Sequence, residues 1–457
     1  MPTRVLVPSG VLGLGFDPEA LQAGLSRDPD IISIDGGSTD SGPYYLGTGS
    51  SKYSLSSTLA EWSQLVESAT SRGVPLVLGS AGTCGTDRMV DWMVELTGDI
   101  ANRLGKRIRI ATIKSSQDIE TTCLAFENGR LAALSHAPDI SADDICRCSN
   151  IVALAGAEQV QAALETDADI VIAGRATDTA GIAALPLRNG DHPGGAWHGA
   201  KIGECGALCS TNPLSGVIEI EFDQHGCSVE PLAAGAQCTP HSVCAHMLYE
   251  NADPHEMVEP GGVLDARDAT YIAETPARVR IEGSRWVASD SYTVKLEGAG
   301  LAGYQAMILV MLRDRRYVGN AGRWVAGLRE FLEGEIDRRT GMGRDAYHLE
   351  FRLIGVDAAL GSLETGTALP NEVGVMFIVT ADSQSSATEI AKLANPFMLH
   401  FPLSETGELP TFAFPYSPAE TERGPVFEFL LNHALALDDP MDAFRLEVLE
   451  VGNGPAR

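Results

Sequence analysis

Apolar positions in the first half of the chain gather in short runs, each ending in a polar, glycine-rich loop. Leu6-Val7 leads into Pro8-Ser9-Gly10, and Ile31–Ile34 leads into Asp35-Gly36-Gly37-Ser38-Thr39-Asp40. Leu76–Leu78 leads into Gly79-Ser80-Ala81-Gly82-Thr83-Cys84-Gly85. Ile108–Ile113 runs into Lys114-Ser115-Ser116, and Ile170–Ile172 runs into Gly174-Arg175-Ala176-Thr177-Asp178. Continuous β-branched runs alternating with helical patterns predict buried parallel strands. In such sheets ligands bind beyond the carboxyl ends of the strands, where these loops fall.

The intervening segments read as helices. Leu59, Trp62, Leu65, Val66 and Ala69 mark one face, with Thr58-Leu59-Ala60-Glu61 as a capping box and Gly73 as the stop. Met89, Met93, Leu96, Ile100 and Leu104 mark another, with Asp87 as the cap and Gly105 as the stop. A strand at Ile151–Ala155 and a helix from Ala157 to Leu164 follow. Around Leu185–Gly203 the regularity breaks into a Pro/Gly/His-rich stretch. From Ile218 to Asp223 the period changes to two, which predicts a half-exposed strand in an antiparallel region. Arg278–Ile281, Leu349–Ile354 and Val373–Thr380 read as further strands, and Ser385–Ala394 as a helix.

The predicted fold is therefore α/β. A mostly parallel, doubly wound, Rossmann-like domain is expected over residues 1–215. A mixed α/β domain with antiparallel strands is expected over 216–457, with a C-terminal subdomain from about residue 345. No internal repeat of solenoid length is present.

At 457 residues, 44% hydrophobic and 21% charged, the composition is that of a globular chain long enough for two or three domains. The formal charge of −28 argues against nucleic acid or an anionic membrane surface as a partner. No apolar run is long enough to cross a membrane, and the N-terminus lacks a signal-peptide layout. Nine cysteines, an odd number, fit reduced thiols in the cytoplasm, which is the expected compartment.

Several loops carry candidate chemistry. Ser80, Ala81, Gly82 and Thr83 open a helix, and their amides suit a carboxylate or phosphate; the alternative is a tight turn with no ligand. The loop is neither a G-x-G-x-x-G fingerprint nor a P-loop, so no nucleotide cofactor is expected. Asp35 and Asp40 bracket Gly36, Gly37 and Ser38. They suit a general acid/base pair or a weakly held divalent cation, against Asx-turn chemistry. Arg175 with Asp178 offers either a bidentate carboxylate clamp or an internal brace, and Lys114 has the same ambiguity.

Cys238, His241, Cys244 and His246 have metal-like spacing, but Thr239-Pro240 starts a helix on which they diverge. His246, with Glu250 on the same helical face and Asn251 beside it, is a candidate acid/base group, against a satisfied core histidine. Glu204 and Cys205 offer proton transfer or a nucleophile at the junction, against an inert packed thiol. No G-x-S-x-G elbow occurs in a strand-turn-helix context.

These segments resemble the AtuA-like proteins of acyclic terpene utilisation, formerly described only as a domain of unknown function. The resemblance is carried by Asp35–Gly47, Gly79–Thr83, Ala168–Asp178, Glu204–Ala207 and Ala245–Pro254. It implies a catabolic, cytoplasmic role near acyclic terpenoids or other branched acids, whose breakdown runs through CoA thioesters. Family members are often accompanied by a small extra domain, so the resemblance leaves room for a small accessory protein.

The expected function is lyase or hydratase chemistry on a small branched carboxylate or its CoA thioester, by proton abstraction next to a carbonyl. Asp35 or Glu204 is the expected base, the Ser80–Gly82 amides the anion holder, and Arg175 or Lys114 the counter-charge. The alternative is a non-catalytic binding subunit of a terpenoid or branched-acid catabolic complex. A homo-oligomer is expected.

Overall fold

Alternate residues of the central strands divide between two hydrophobic cores, one on each face of a sheet. The computed structural model describes residues 2–454 apart from His136, Thr367, Glu405 and Thr411. Contacts divide the chain into two units, Met1–Gly300 with Glu428–Arg457, and Leu301–Phe427.

The first unit holds a ten-stranded mixed sheet. In chain order its strands are β1 Thr3–Val7, β2 Ile31–Asp35, β3 Leu76–Gly79, β4 Ile108–Lys114 and β5 Ile170–Ala173. They continue as β6 Ile218–Phe222, β7 Gly226–Pro231, β8 Thr270–Ala273, β9 Val279–Glu282 and β10 Arg445–Val451. The spatial order is β8-β9-β7-β6-β1-β2-β3-β5-β4-β10. All pairings among β1 to β5 are parallel, as the apolar runs predict. β6 to β10 pair antiparallel.

Leu6, Ile32, Leu78, Ile110 and Ile172 point into one core with helices α1 Pro18–Leu25, α2 Leu55–Arg72 and α3 Asp87–Leu104. Val5, Ile31, Val77, Ala111 and Val171 point into the other with α4 Ala157–Leu164, α5 Ala180–Asn189 and α6 Pro193–Gly203. Both faces of the parallel strands are thus covered, which is why they read as continuous apolar runs.

Four expectations need correction. Ser54, not Thr58, caps α2, its side chain accepting the Ser57 amide. Thr86 precedes α3, and Asp87 uses its carboxylate to accept the Ser116 amide at 3.0 Å. The stretch 185–203 is helical: Pro193 occupies the first turn of α6 and the His192 ring accepts the Gly195 amide at 3.1 Å. Its glycines let α6 lie close on the sheet; a Cβ on Gly195 would meet Gly226 and one on Gly199 would meet Phe222. Lastly, β6 begins no separate region, since it pairs with β1 over five residue pairs, and Glu219 is buried. The expected division at residue 215 therefore falls inside the first unit, and the second is Leu301–Phe427.

The expected strand near Ile151 is Cys148–Ala153, which pairs antiparallel with residues 296–300 of Tyr292–Leu312 outside the main sheet. In the second unit, residues 304–312 of that strand pair antiparallel with Val373–Ala381, which also pairs with Tyr347–Ile354. Helices Ala321–Thr340 and Gln384–His400 share a core with them through Leu328, Ile390, Val310 and Phe377. Among the described residues no helix is long and apolar enough to cross a membrane.

Candidate active site

The loops after β1, β2 and β5 and the segment after α6 surround a cavity of about 670 Å³ within the first unit. That volume suits a small ligand. Asp35, Asp40, Asp178, Glu204 and Glu250 contribute carboxyl groups to its wall, and Lys52 is the cation among the lining residues. Val11, Leu14, Leu208, Pro213 and Leu214 supply apolar lining, and Tyr53 and Tyr249 contribute their rings.

Asp35 is the last residue of β2 and is buried. Its Oδ1 accepts the Gly37 amide at 2.6 Å, the turn interaction expected of an Asp at a strand end. Burial first, and the nearby Asp178 second, push its carboxyl well above the ordinary range despite Arg175 and the Gly37 amide. Two glycines permit this packing. A Cβ on Gly79 would collide with the Asp35 carboxylate, and one on Gly36 would collide with the Ser80 carbonyl oxygen.

Glu204 follows α6, and one of its carboxyl oxygens accepts from the buried Lys201 ammonium one turn earlier. Burial pushes Glu204 up to about 8; Asp178 and Glu259 add to this, and Lys201 opposes it. Glu259 lies deeper. The Thr179 hydroxyl donates to its Oε1 at 2.5 Å, its Oε2 has no partner, and burial pushes it up to about 7. Asp178 is the shared neighbour that raises Asp35, Glu204 and Glu259 together. Two carboxyl groups raised by environment, on different elements facing one cavity, make a set suited to proton transfer near neutral pH.

Arg175 makes the contacts of an internal brace. Its guanidinium is buried, with Nε 3.3 Å from Glu297 and Nη1 bonded to Ser80 Oγ at 3.0 Å and to the Ala176 carbonyl at 2.8 Å. Asp178 Oδ1 lies 3.4 Å from the same Nη1. Glu297 also accepts from Thr39 at 2.8 Å and pairs with Lys295 at 2.9 Å. Burial alone would raise Glu297, but Arg175 and Lys295 outweigh it and hold it at about 2. Lys114 is likewise committed elsewhere, 2.9 Å from Asp91 and 3.9 Å from Glu447.

Three amides of the Gly79–Gly85 loop are engaged by backbone carbonyls: Ala81 donates to the Ala173 carbonyl, Thr83 to Ser80 and Gly85 to Ala81. The Thr83 hydroxyl donates to the Gly36 carbonyl at 2.9 Å. Ser80, Ala81, Gly82 and Thr83 therefore support the wall from behind and do not line the cavity. Ser80 and Thr83 hold left-handed backbone conformations (φ 44° and 77°), as does Glu250 (φ 57°) in the wall itself. Such conformations persist only where the surroundings enforce them, and they cluster at functional sites.

The other predicted residues separate into two groups. Gly37, Ser38, Asp40, Cys205 and Glu250 line the cavity, with Ser38 Oγ donating to Asp40 at 2.7 Å. The Cys205 thiol is pushed up by burial and by Glu204, which disfavours its thiolate. Gly36 donates to the Gly79 carbonyl, and Asn251 Nδ2 donates to the Met247 carbonyl at 2.9 Å; neither lines the cavity. His246 is buried, its Nε2 has no partner, and burial lowers it to about 4, which leaves it neutral and outside the wall.

Cys238 is buried while His241 and Cys244 are exposed, so the metal-like spacing does not converge. Among the described residues no group of three or more His, Cys, Asp or Glu side chains is placed to hold a metal ion.

Sequence reasoning passed over Lys201, Glu259 and Glu297, and the apolar wall. Lys201 in the last turn of α6 and Glu204 just after it stand at i, i+3, a spacing hidden because the segment reads as irregular. Glu297 reaches Arg175 across 122 positions, for which a single sequence carries no signal.

No curated protein and no solved structure matches the chain. A family model, that of the acyclic terpene utilisation family protein AtuA, matches residues 50–418 of the 457-residue chain; the chain belongs to the AtuA family and, with it, to acyclic terpene utilisation.

Proposed function

We propose that the chain is a proton-transfer enzyme of lyase or hydratase type, acting on a branched acyl thioester of acyclic terpene breakdown. The observation that carries this reading is the pair Asp35 and Glu204, both raised by burial, on the wall of one cavity beside an apolar face. A carboxylate with a raised pKa is a stronger base, and a carboxyl group still protonated near neutral pH is a hydrogen-bond donor. Asp35 takes the proton from the carbon next to the thioester carbonyl. Glu204 donates to the carbonyl oxygen as negative charge develops there. In a dehydration the leaving hydroxyl takes from Asp35 the proton that Asp35 removed from carbon, and the C–O bond breaks to release water; in a hydration Asp35 takes a proton from the attacking water and returns one to carbon.

The charge balance of the wall narrows the substrate. Five carboxyl groups face one lysine, and the two strand-end cations expected to meet an anion are paired elsewhere. A free carboxylate would be repelled, whereas a thioester carbonyl is neutral at its reacting end. The apolar wall of Leu14, Leu208 and Leu214 suits a branched hydrocarbon chain.

A panel of unsaturated and hydroxylated branched acids and their CoA thioesters tests this reading by thermal shift and turnover. A thioester is expected to raise the melting temperature, since a ligand that binds only the native state stabilises it. Asp35→Asn should keep the shift and lose turnover. Shifts from free acids alone, or wild-type turnover in Asp35→Asn, would overturn the assignment. Binding of thioesters without turnover by the wild-type chain would favour a binding subunit.

A further inference from the structure

Three thiols meet in the first unit, away from the cavity-lining residues. Cys123 lies on helix Ile119–Glu127, Cys146 ends helix Ala142–Cys146, and Cys148 opens strand Cys148–Ala153. Cys123 Sγ and Cys146 Sγ are 3.8 Å apart. Cys146 is exposed, Cys123 is partly exposed and Cys148 is buried. We propose that Cys123 and Cys146 form a dithiol that exchanges with small-molecule disulfides to close a reversible intramolecular bond.

Access and proximity divide the roles. Cys146, the exposed thiol, attacks as its thiolate one sulfur of the small disulfide; that sulfur–sulfur bond breaks and the first small thiolate leaves. Cys123, losing its proton to the departing thiolate, then attacks Cys146 sulfur and expels the second small thiol. Two electrons and two protons pass from the protein thiols to the oxidant. Closure needs an approach of about 2 Å from the observed separation to bonding distance. The second helix is only five residues long, so little structure must move.

Cys148 is the third and silent thiol. Burial pushes it up to about 12, and its sulfur donates to the Asp144 carbonyl at 3.6 Å. Cys209 and Cys238 are also 3.8 Å apart, but both are fully buried, and a dissolved disulfide cannot reach them in the native fold. Proximity is equal in the two pairs, so access decides between them.

The test treats the reduced full chain with excess oxidised glutathione, quenches with an alkylating reagent and reads intact and peptide masses. The expected product links Cys123 to Cys146 with the loss of two hydrogens, retains no glutathione on either residue and reverts with dithiothreitol. Cys123→Ser should instead retain one glutathione on Cys146, and Cys148→Ser should close the same bond as wild type. Unmodified Cys123 and Cys146 in the wild-type chain, a stable glutathione adduct on either of them, or a link through Cys148 or between Cys209 and Cys238 would overturn the proposal. Because the wild-type peptide masses are themselves decisive, failure of a variant to fold does not blunt the test.

Discussion

Arg175 Nη1 donates to Ser80 Oγ at 3.0 Å, and both side chains are buried. Ser80 holds a left-handed backbone while the same arginine pairs with Glu297, so the end of β5 is fastened to the loop after β3 by one cation. Arg175→Ala should therefore act on stability. It leaves Glu297 buried and short of its strongest partner, at a cost of about 3–5 kcal/mol. Urea unfolding measures this. An unchanged midpoint, together with weakened ligand binding, would reinstate the clamp.

Glu204 sets a pH dependence whose sign is fixed. Its folded value is raised to about 8 from an ordinary 4.5, so the native state holds the proton more tightly than the unfolded chain. The stability this contributes is complete below about 4.5 and is lost as pH rises through about 8. The stability of wild type minus that of Glu204→Gln should fall across that window. Denaturant midpoints at a series of pH values check it, and a flat difference would contradict the raised value.

The legible part of the fold was the part dictated by local pattern. β1 to β5 announce themselves because burial on both faces makes each a predominantly apolar run. The left-handed stops at Gly73 and Gly105 follow from the permissiveness of glycine. α6 was illegible because its glycines serve close packing on β6 and β7, while in sequence they signal a turn. At the site, Asp35, Asp40, Asp178, Glu204 and Glu250 stood at strand ends or beside motifs and do line the cavity. The role of Arg175 depended on Glu297, whose approach is a product of tertiary folding.

The apolar wall predicts a dependence on chain length. Each methylene added to a branched acyl thioester should gain about 0.8 kcal/mol, roughly fourfold in affinity, until the cavity is filled. Leu208→Ala, which shortens that wall, should flatten the series without altering the pH dependence. Isothermal titration across a homologous series checks both; affinity indifferent to chain length would mean that this wall does not meet the hydrocarbon.

The central claim is that Asp35 and Glu204 move a proton on a carbon next to a thioester carbonyl. Incubating the chain in heavy water with branched acyl thioesters, and following deuterium incorporation by NMR, reads that step even when net turnover is slow. The account predicts exchange at the carbon adjacent to the carbonyl in at least one thioester that binds, and its loss in Asp35→Asn while binding persists. Binding of the thioesters with no exchange by the wild-type chain, or exchange undiminished in Asp35→Asn, would contradict it.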